Sequence, residues 1–238
     1  MEDKLESGSN LIANIRHEVY GGKVTFKNTS SHKFSEKDIS IVTSLVRSNL
    51  SSLMMEDTDI RIDLTNASSL GVKTQGEAFT LGTNEHGVVQ CGIFLKAKML
   101  RDVLDDSGKA DRRAIIELAE LIAHELVHCK QYRENWLTVD KYGYSLWKGE
   151  LQDAKGRYFD DIQYRKRPWE VMAFAAQKSL AKSAIQDLIG QSIISAEEGE
   201  YIPKTDAEKA AAALRAIRVA EREKKNGSAG LGFGADIK

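Results

Sequence analysis

Proline and cysteine are nearly missing from this chain, with two of each in 238 residues. So few cysteines argue against a disulfide framework, and Cys91 and Cys129, far apart in sequence, read as reduced, buried small hydrophobes. No apolar run is long enough for a signal peptide or a membrane span. Neither sign of charge dominates, since 34 basic residues stand against 35 acidic ones for a net charge of -1. That balance leaves no electrostatic footprint for nucleic acid or an acidic membrane surface. Residues 1–10 are polar and mixed in charge, so the expectation is a chain made and kept in a cytoplasm, with no nucleic-acid and no membrane partner. Its length allows one substantial core with an appendage, and no internal repeat is apparent.

What is present is the run His124-Glu125-Leu126-Val127-His128. A helix advances about 100° per residue, so imidazoles four positions apart stand side by side and can share one zinc ion. Glu125 is placed to take a proton from a water at that ion, which is the physical content of the H-E-x-x-H pattern. The surroundings suit a helix from Asp111 to Tyr132, with Asp111 as N-cap and no internal Gly or Pro. Ile115, Leu118, Ala119, Ile122, Leu126 and Cys129 form its apolar stripe, within roughly 60° either side of Ile115. His124 and His128 fall at roughly 180° and 220° on the same wheel. They are expected to face away from the main core, toward a cavity in which a metal would satisfy them.

Elsewhere the periodicities divide the chain. Residues 1–15 read as a flexible arm, 16–200 as one domain, and 201–238 as a C-terminal helix with a glycine-rich tail. A first helix is predicted from Ser35 to Met55, with Ile39, Val42, Leu45, Val46 and Leu50 on one side. The alternation over Asp59–Leu64 predicts a half-buried strand, and Ala78–Leu81 and Val88–Leu95 predict two more. The aromatic-rich stretch from Glu134 to Lys166 reads as a long structured loop over the site. Pro168 suits the first turn of a further helix, on which Trp169, Met172, Ala173, Ala176 and Leu180 form a core-facing stripe. The pattern as a whole predicts an α+β fold: a small antiparallel or mixed sheet packed on the H-E-x-x-H helix and on a second, ligand-bearing helix, with a C-terminal helical arm. Leu214, Ile217, Leu231 and Phe233 give that arm little apolar surface to bury within one chain, which suits either a solvated end or docking on another subunit.

A catalytic zinc usually takes three protein ligands and keeps one position for water. The extended pattern with Gly three and His six residues after the second histidine is excluded, because Gln131 and Glu134 stand there. Glu150, Asp153, Asp160, Asp161 and Glu170 remain as carboxylate candidates. Glu170 is the strongest, since it follows Pro168 in a first helical turn, a rigid position where the positive helix end favours its charge.

His124 to Tyr132, then Trp147-Lys148-Gly149, then Tyr164 and Arg167-Pro168-Trp169-Glu170-Val171-Met172-Ala173-Phe174, make up three separated blocks in order. This set resembles the zincin-like metallopeptidases encoded by tailed bacteriophages, which tend to carry H-E-h-V-H-x-K-Q-Y, a W-x-G element, and P-W-E-h-E-A followed by an aromatic. The resemblance spans residues 115–178, about a quarter of the chain. It implies a zincin-like fold, Zn2+ as cofactor, a peptide or protein substrate, and contacts with phage structural proteins or self-association through the arm. It also implies a host-cell cytoplasmic or virion-associated setting. One residue departs from the family: Met172 stands where a second glutamate is common. Were that glutamate the family's ligand, this chain would be a degenerate enzyme, but Met172 falls on the apolar stripe and Glu170 is retained.

The chemistry expected is hydrolysis of a peptide bond with Glu125 as base and His124, His128 and Glu170 as metal ligands. Tyr164, Tyr158 and Arg167 are the candidates in sequence to stabilise the transition state. By analogy with zincin folds, Val88–Leu95 occupies the place of an edge strand that holds extended substrate. A second class of function stays open, a structural or assembly protein of a phage particle that keeps the fold without catalysis.

Overall fold

The computed structural model describes residues 22–66, 75–85, 87–104 and 108–199. The arm expected over residues 1–15, and the helix and tail expected over 201–238, lie outside the described residues. β1 (Val24–Asn28) leads to α1 (Glu36–Ser52), followed by β2 (Ile60–Thr65), β3 (Gly76–Thr83), β4 (Val89–Lys96) and the short α2 (Ala97–Arg101). The long α3 (Arg112–Arg133) precedes a hairpin of β5 (Leu137–Val139) and β6 (Ser145–Trp147). Two 3-10 turns at Phe159–Asp161 and Tyr164–Lys166, α4 (Pro168–Gly190) and α5 (Ala196–Gly199) complete the described chain. No helix among the described residues is long and apolar enough to cross a membrane.

The four-stranded sheet is mixed, in the order β1-β2-β4-β3. β1, β2 and β4 run parallel, and β3 returns antiparallel along β4. Alternation sorts the faces of β2: Ile60, Ile62 and Leu64 are fully buried, while Arg61 and Asp63 pair on the other side at 2.9 Å. Ile93 and Leu95 of β4 join that core with Ile41, Leu45 and Val46 of α1 and Ile115, Leu118, Ile122 and Leu126 of α3. Emptying one such fully buried position costs about 2–5 kcal/mol, so α3 is held firmly on β3 and β4. α4 packs in turn across α3 and α1. Cys91 and Cys129 are buried and free, as expected, and the fold makes them neighbours: the Cys91 thiol lies 3.7 Å from the Cys129 carbonyl oxygen.

Local signals account for the ends of α3. Asp111 caps it by accepting the Ala114 N–H at 2.7 Å. At the other end Asn135 takes a left-handed φ of 55°, which lets the Trp136 N–H reach back to the Gln131 carbonyl at 2.8 Å. α4 begins on Pro168, where a missing N–H costs nothing.

β1 was not expected from the sequence, and three expectations are corrected. On α1 the fully buried position is Ile41, and Ile39 is half-buried. The stretch Glu134–Lys166 contains a β-hairpin as well as turns. On α4, Trp169 and Ala173 are buried, but Met172, Ala176 and Leu180 are half-buried; the deeper stripe continues through Ala181, Ala184, Ile185 and Leu188. Trp169 leaves the main core altogether and packs with Leu137, Phe159 and Ile162 in a small satellite cluster. The large ring settles there because the hairpin and first 3-10 turn cover it, an arrangement that helical spacing alone cannot show.

Candidate metal centre

α3 and α4 lie against one another, and the polar faces that they share carry the site. His124, Glu125 and His128 on α3 and Glu170 on α4 are all buried. Nε2 of His124 stands 3.1 Å from Nε2 of His128. The two carboxylate oxygens of Glu170 complete the group, Oε2 at 3.3 Å from His124 Nε2 and Oε1 at 3.4 Å from His128 Nε2. The histidines do face away from the main core stripe, and what they meet is α4. Among the described residues, these three side chains are the cluster that could hold a metal ion. Glu150, Asp153, Asp160 and Asp161 do not join it: Asp153 binds Arg157, and Asp160 binds the N–H and hydroxyl of Ser145.

The other nitrogen of each ring decides what the site wants. His128 Nδ1 is 2.8 Å from Oε1 of Gln131, and His124 Nδ1 is 2.9 Å from Oε1 of Gln177. A carboxamide oxygen only accepts, so each Nδ1 carries the proton and each Nε2 is left with a lone pair. Two lone pairs then face each other across 3.1 Å beside a carboxylate whose Oε2 is buried without a hydrogen-bond partner. A shared cation relieves that arrangement. Donors about 2.0–2.1 Å from one tetrahedral ion stand about 3.3 Å apart, close to the 3.1 Å between the two Nε2 atoms and the 3.3 Å from His124 Nε2 to Glu170 Oε2. The residues therefore fit a divalent metal.

Burial works to raise the Glu170 carboxyl, but when the imidazoles hold protons on Nε2 in place of a cation, they and the Tyr164 hydroxyl outweigh it and bring its pKa down to about 2. Burial lowers the affinity of His128 for a proton, yet Glu170, Glu125 and Gln131 together raise its pKa above the ordinary value. Glu125 is pushed up, chiefly by burial and in small part by Glu170, against the opposing pull of His128, His124 and the Ala78 N–H. A base with a raised pKa accepts a proton more readily.

Glu125 reaches the sheet because β3 is close. A side chain at Gly76 would bring its Cβ to 3.0 Å from Leu121 Cδ1 and 3.3 Å from Glu125 Cγ, so the absence of one lets β3 approach α3. β3 is the outer strand among the described residues, whereas β4, expected at the edge, is flanked on both sides by β2 and β3. The Gln75 carbonyl accepts the Lys96 N–H, so backbone groups of odd-numbered residues turn inward and those of Gly76 and Ala78 turn to the open edge.

The three residues named for transition-state stabilisation separate. Tyr164, in the second 3-10 turn, lies beside Glu170 while remaining half exposed, with its hydroxyl pKa raised by burial and by that carboxylate. Tyr158 packs on Tyr144 with ring centroids 5.8 Å apart. The Arg167 guanidinium is committed to the carbonyls of Ile162 and Asp160 at 3.1 and 2.8 Å, where it clasps the loop. Phe174, one turn beyond Glu170, packs at a tilt on His124 with ring centroids 4.6 Å apart, and the Arg165 guanidinium lies over its ring at 4.9 Å. Gln131, Phe174 and Gln177 were not anticipated from sequence, although Gln131 follows His128 by three positions and Gln177 follows Glu170 by seven, both spacings that share a helix face.

Comparison with protein-family models, with curated proteins and with solved structures finds no match.

Proposed function

We propose that this chain is a zinc-dependent peptidase, phage-encoded and acting on a peptide or protein in the host cytoplasm or in the particle. The observation that carries the reading is the convergence of His124, His128 and Glu170 with the base Glu125 between them and the open edge of β3. A zinc ion bound by those three residues supplies Lewis acidity and lowers the pKa of water toward neutrality. Glu125 accepts the proton of the attacking water and passes it to the leaving amine. Substrate lies as an added strand along β3, where the outward N–H and C=O groups of Gly76 offer main-chain pairing. The Tyr164 hydroxyl, beside Glu170, donates to the oxygen on which negative charge develops.

The test is a peptide-library digest with the zinc-loaded protein, its chelator-treated form and Glu125→Gln. Cleavage that disappears in the second, returns with zinc and is absent in the third supports the reading. A wild-type protein that holds zinc and cleaves nothing favours an assembly role.

A further inference from the structure

Gln131 is fully buried and touches both helices of the site. Its Oε1 meets His128 Nδ1 at 2.8 Å, and its Nε2 donates to the Trp169 carbonyl at 3.0 Å, one residue before Glu170. The second contact fixes the first. A carbonyl oxygen can only accept, so the amide nitrogen must face Trp169 and the amide oxygen must face His128. His128 must then carry its proton on Nδ1, which turns the Nε2 lone pair toward His124 and Glu170. In free neutral histidine the proton prefers Nε2, the position at which it blocks a cation.

We infer that Gln131 is the positioning residue of this site: through one buried carboxamide it selects the tautomer of His128 and ties α3 to the turn that presents Glu170. Gln177 acts on His124 with a weaker lock, because its amide nitrogen reaches only Glu120, at 3.5 Å on a partly buried surface. The two glutamines are therefore unequal, and His128 depends on Gln131 more than His124 depends on Gln177. The inference rests on the metal-site reading only for its purpose; the tautomer is a property of the metal-free chain.

Long-range nitrogen–proton NMR on histidine-labelled, metal-free protein tests it, at a pH high enough to leave both imidazoles neutral. Wild type should show His128 protonated on Nδ1. Gln131→Leu, of similar volume and without polar atoms, should move that proton to Nε2 and weaken zinc binding about 10–100-fold in chelator competition. Gln177→Leu should have the smaller effect on zinc. Gln131→Glu keeps an acceptor for Nδ1 and loses the donor to Trp169, so it should retain the wild-type tautomer and bind zinc better than Gln131→Leu. It also carries the test if the leucine variant does not fold. His128 protonated on Nε2 in the wild type, or an unchanged tautomer and zinc affinity in Gln131→Leu, overturns the inference. A wild type with the expected tautomer and no affinity for zinc would uphold the role of Gln131 and sink the metal reading.

Discussion

Glu170 and Gln177 stand seven residues apart on one face of α4 and address the same histidine from opposite sides, the carboxylate at His124 Nε2 and the carboxamide at Nδ1. α4 is thus as much a part of the site as the H-E-x-x-H helix. A helix that supplied only packing would gain nothing from burying a glutamate whose Oε2 lacks a hydrogen bond.

One divalent ion per chain should bind, and Glu170→Ala should lower its affinity while leaving the fold intact. Elemental analysis and chelator competition read this directly. Saturation should also raise thermal stability, since ligand at about 100 times its dissociation constant adds about 2.7 kcal/mol. Glu170→Ala with unchanged occupancy and affinity would remove it from the ligand set.

Metal affinity should fall with acidification from a higher pH than an ordinary histidine site would show. The sign follows from His128: its pKa in the metal-free fold is raised, and only its neutral form offers Nε2 to a metal. Protons therefore begin to compete above the ordinary imidazole range. Below that raised pKa, apparent affinity should drop by about tenfold per pH unit from this group alone. The linked stability of the metal-free fold runs the opposite way: what the proton on His128 contributes to it is present below the unfolded pKa and lost as pH rises through the folded one. Zinc titrations across the pH range check it; a flat response between mildly alkaline and mildly acidic pH counts against the assignment.

Much of the site could be read from residue spacing because its parts are local. The H-E-x-x-H pair lies within two helical turns, Asp111 caps its helix, and Pro168 announces the start of the helix that bears Glu170. Properties that belong to pairs of elements could not be read in that way. β4 looked like an edge strand from its place in the chain, but strand order is a non-local outcome, and β3 covers it. β1 shows one buried residue, Val24, too weak a pattern to stand out without its partner β2. Gln131 and Gln177 look like ordinary solvated side chains until the facing helix buries the first and partly covers the second.

Glu125→Gln should keep metal and fold while losing hydrolysis by about 10²–10⁴-fold or more. The carboxamide is nearly isosteric, and Glu125 is not among the three residues grouped so that they could hold a metal. Because burial raises the carboxyl pKa, the neutral side chain should also be tolerated without loss of thermal stability in the metal-free form. Turnover by the purified variant within a few-fold of wild type would remove Glu125 as the base.

Tyr164→Phe distinguishes two roles of the hydroxyl beside Glu170. If the phenol donates to the developing oxyanion, its loss should lower kcat by about 10²–10³-fold while KM and zinc affinity stay near wild type, the magnitude typical of one such donor. If it only orients Glu170, zinc affinity should fall instead, and excess zinc should restore the rate. The raised pKa keeps the phenol protonated through the working range, so neither role should add a titration to the alkaline limb of the wild-type profile. Its half-exposed place beside a buried carboxylate favours the first outcome, since the open side of the ring is where a substrate carbonyl can approach. Equal kcat, KM and zinc affinity in the two proteins would leave Tyr164 with no part in the chemistry.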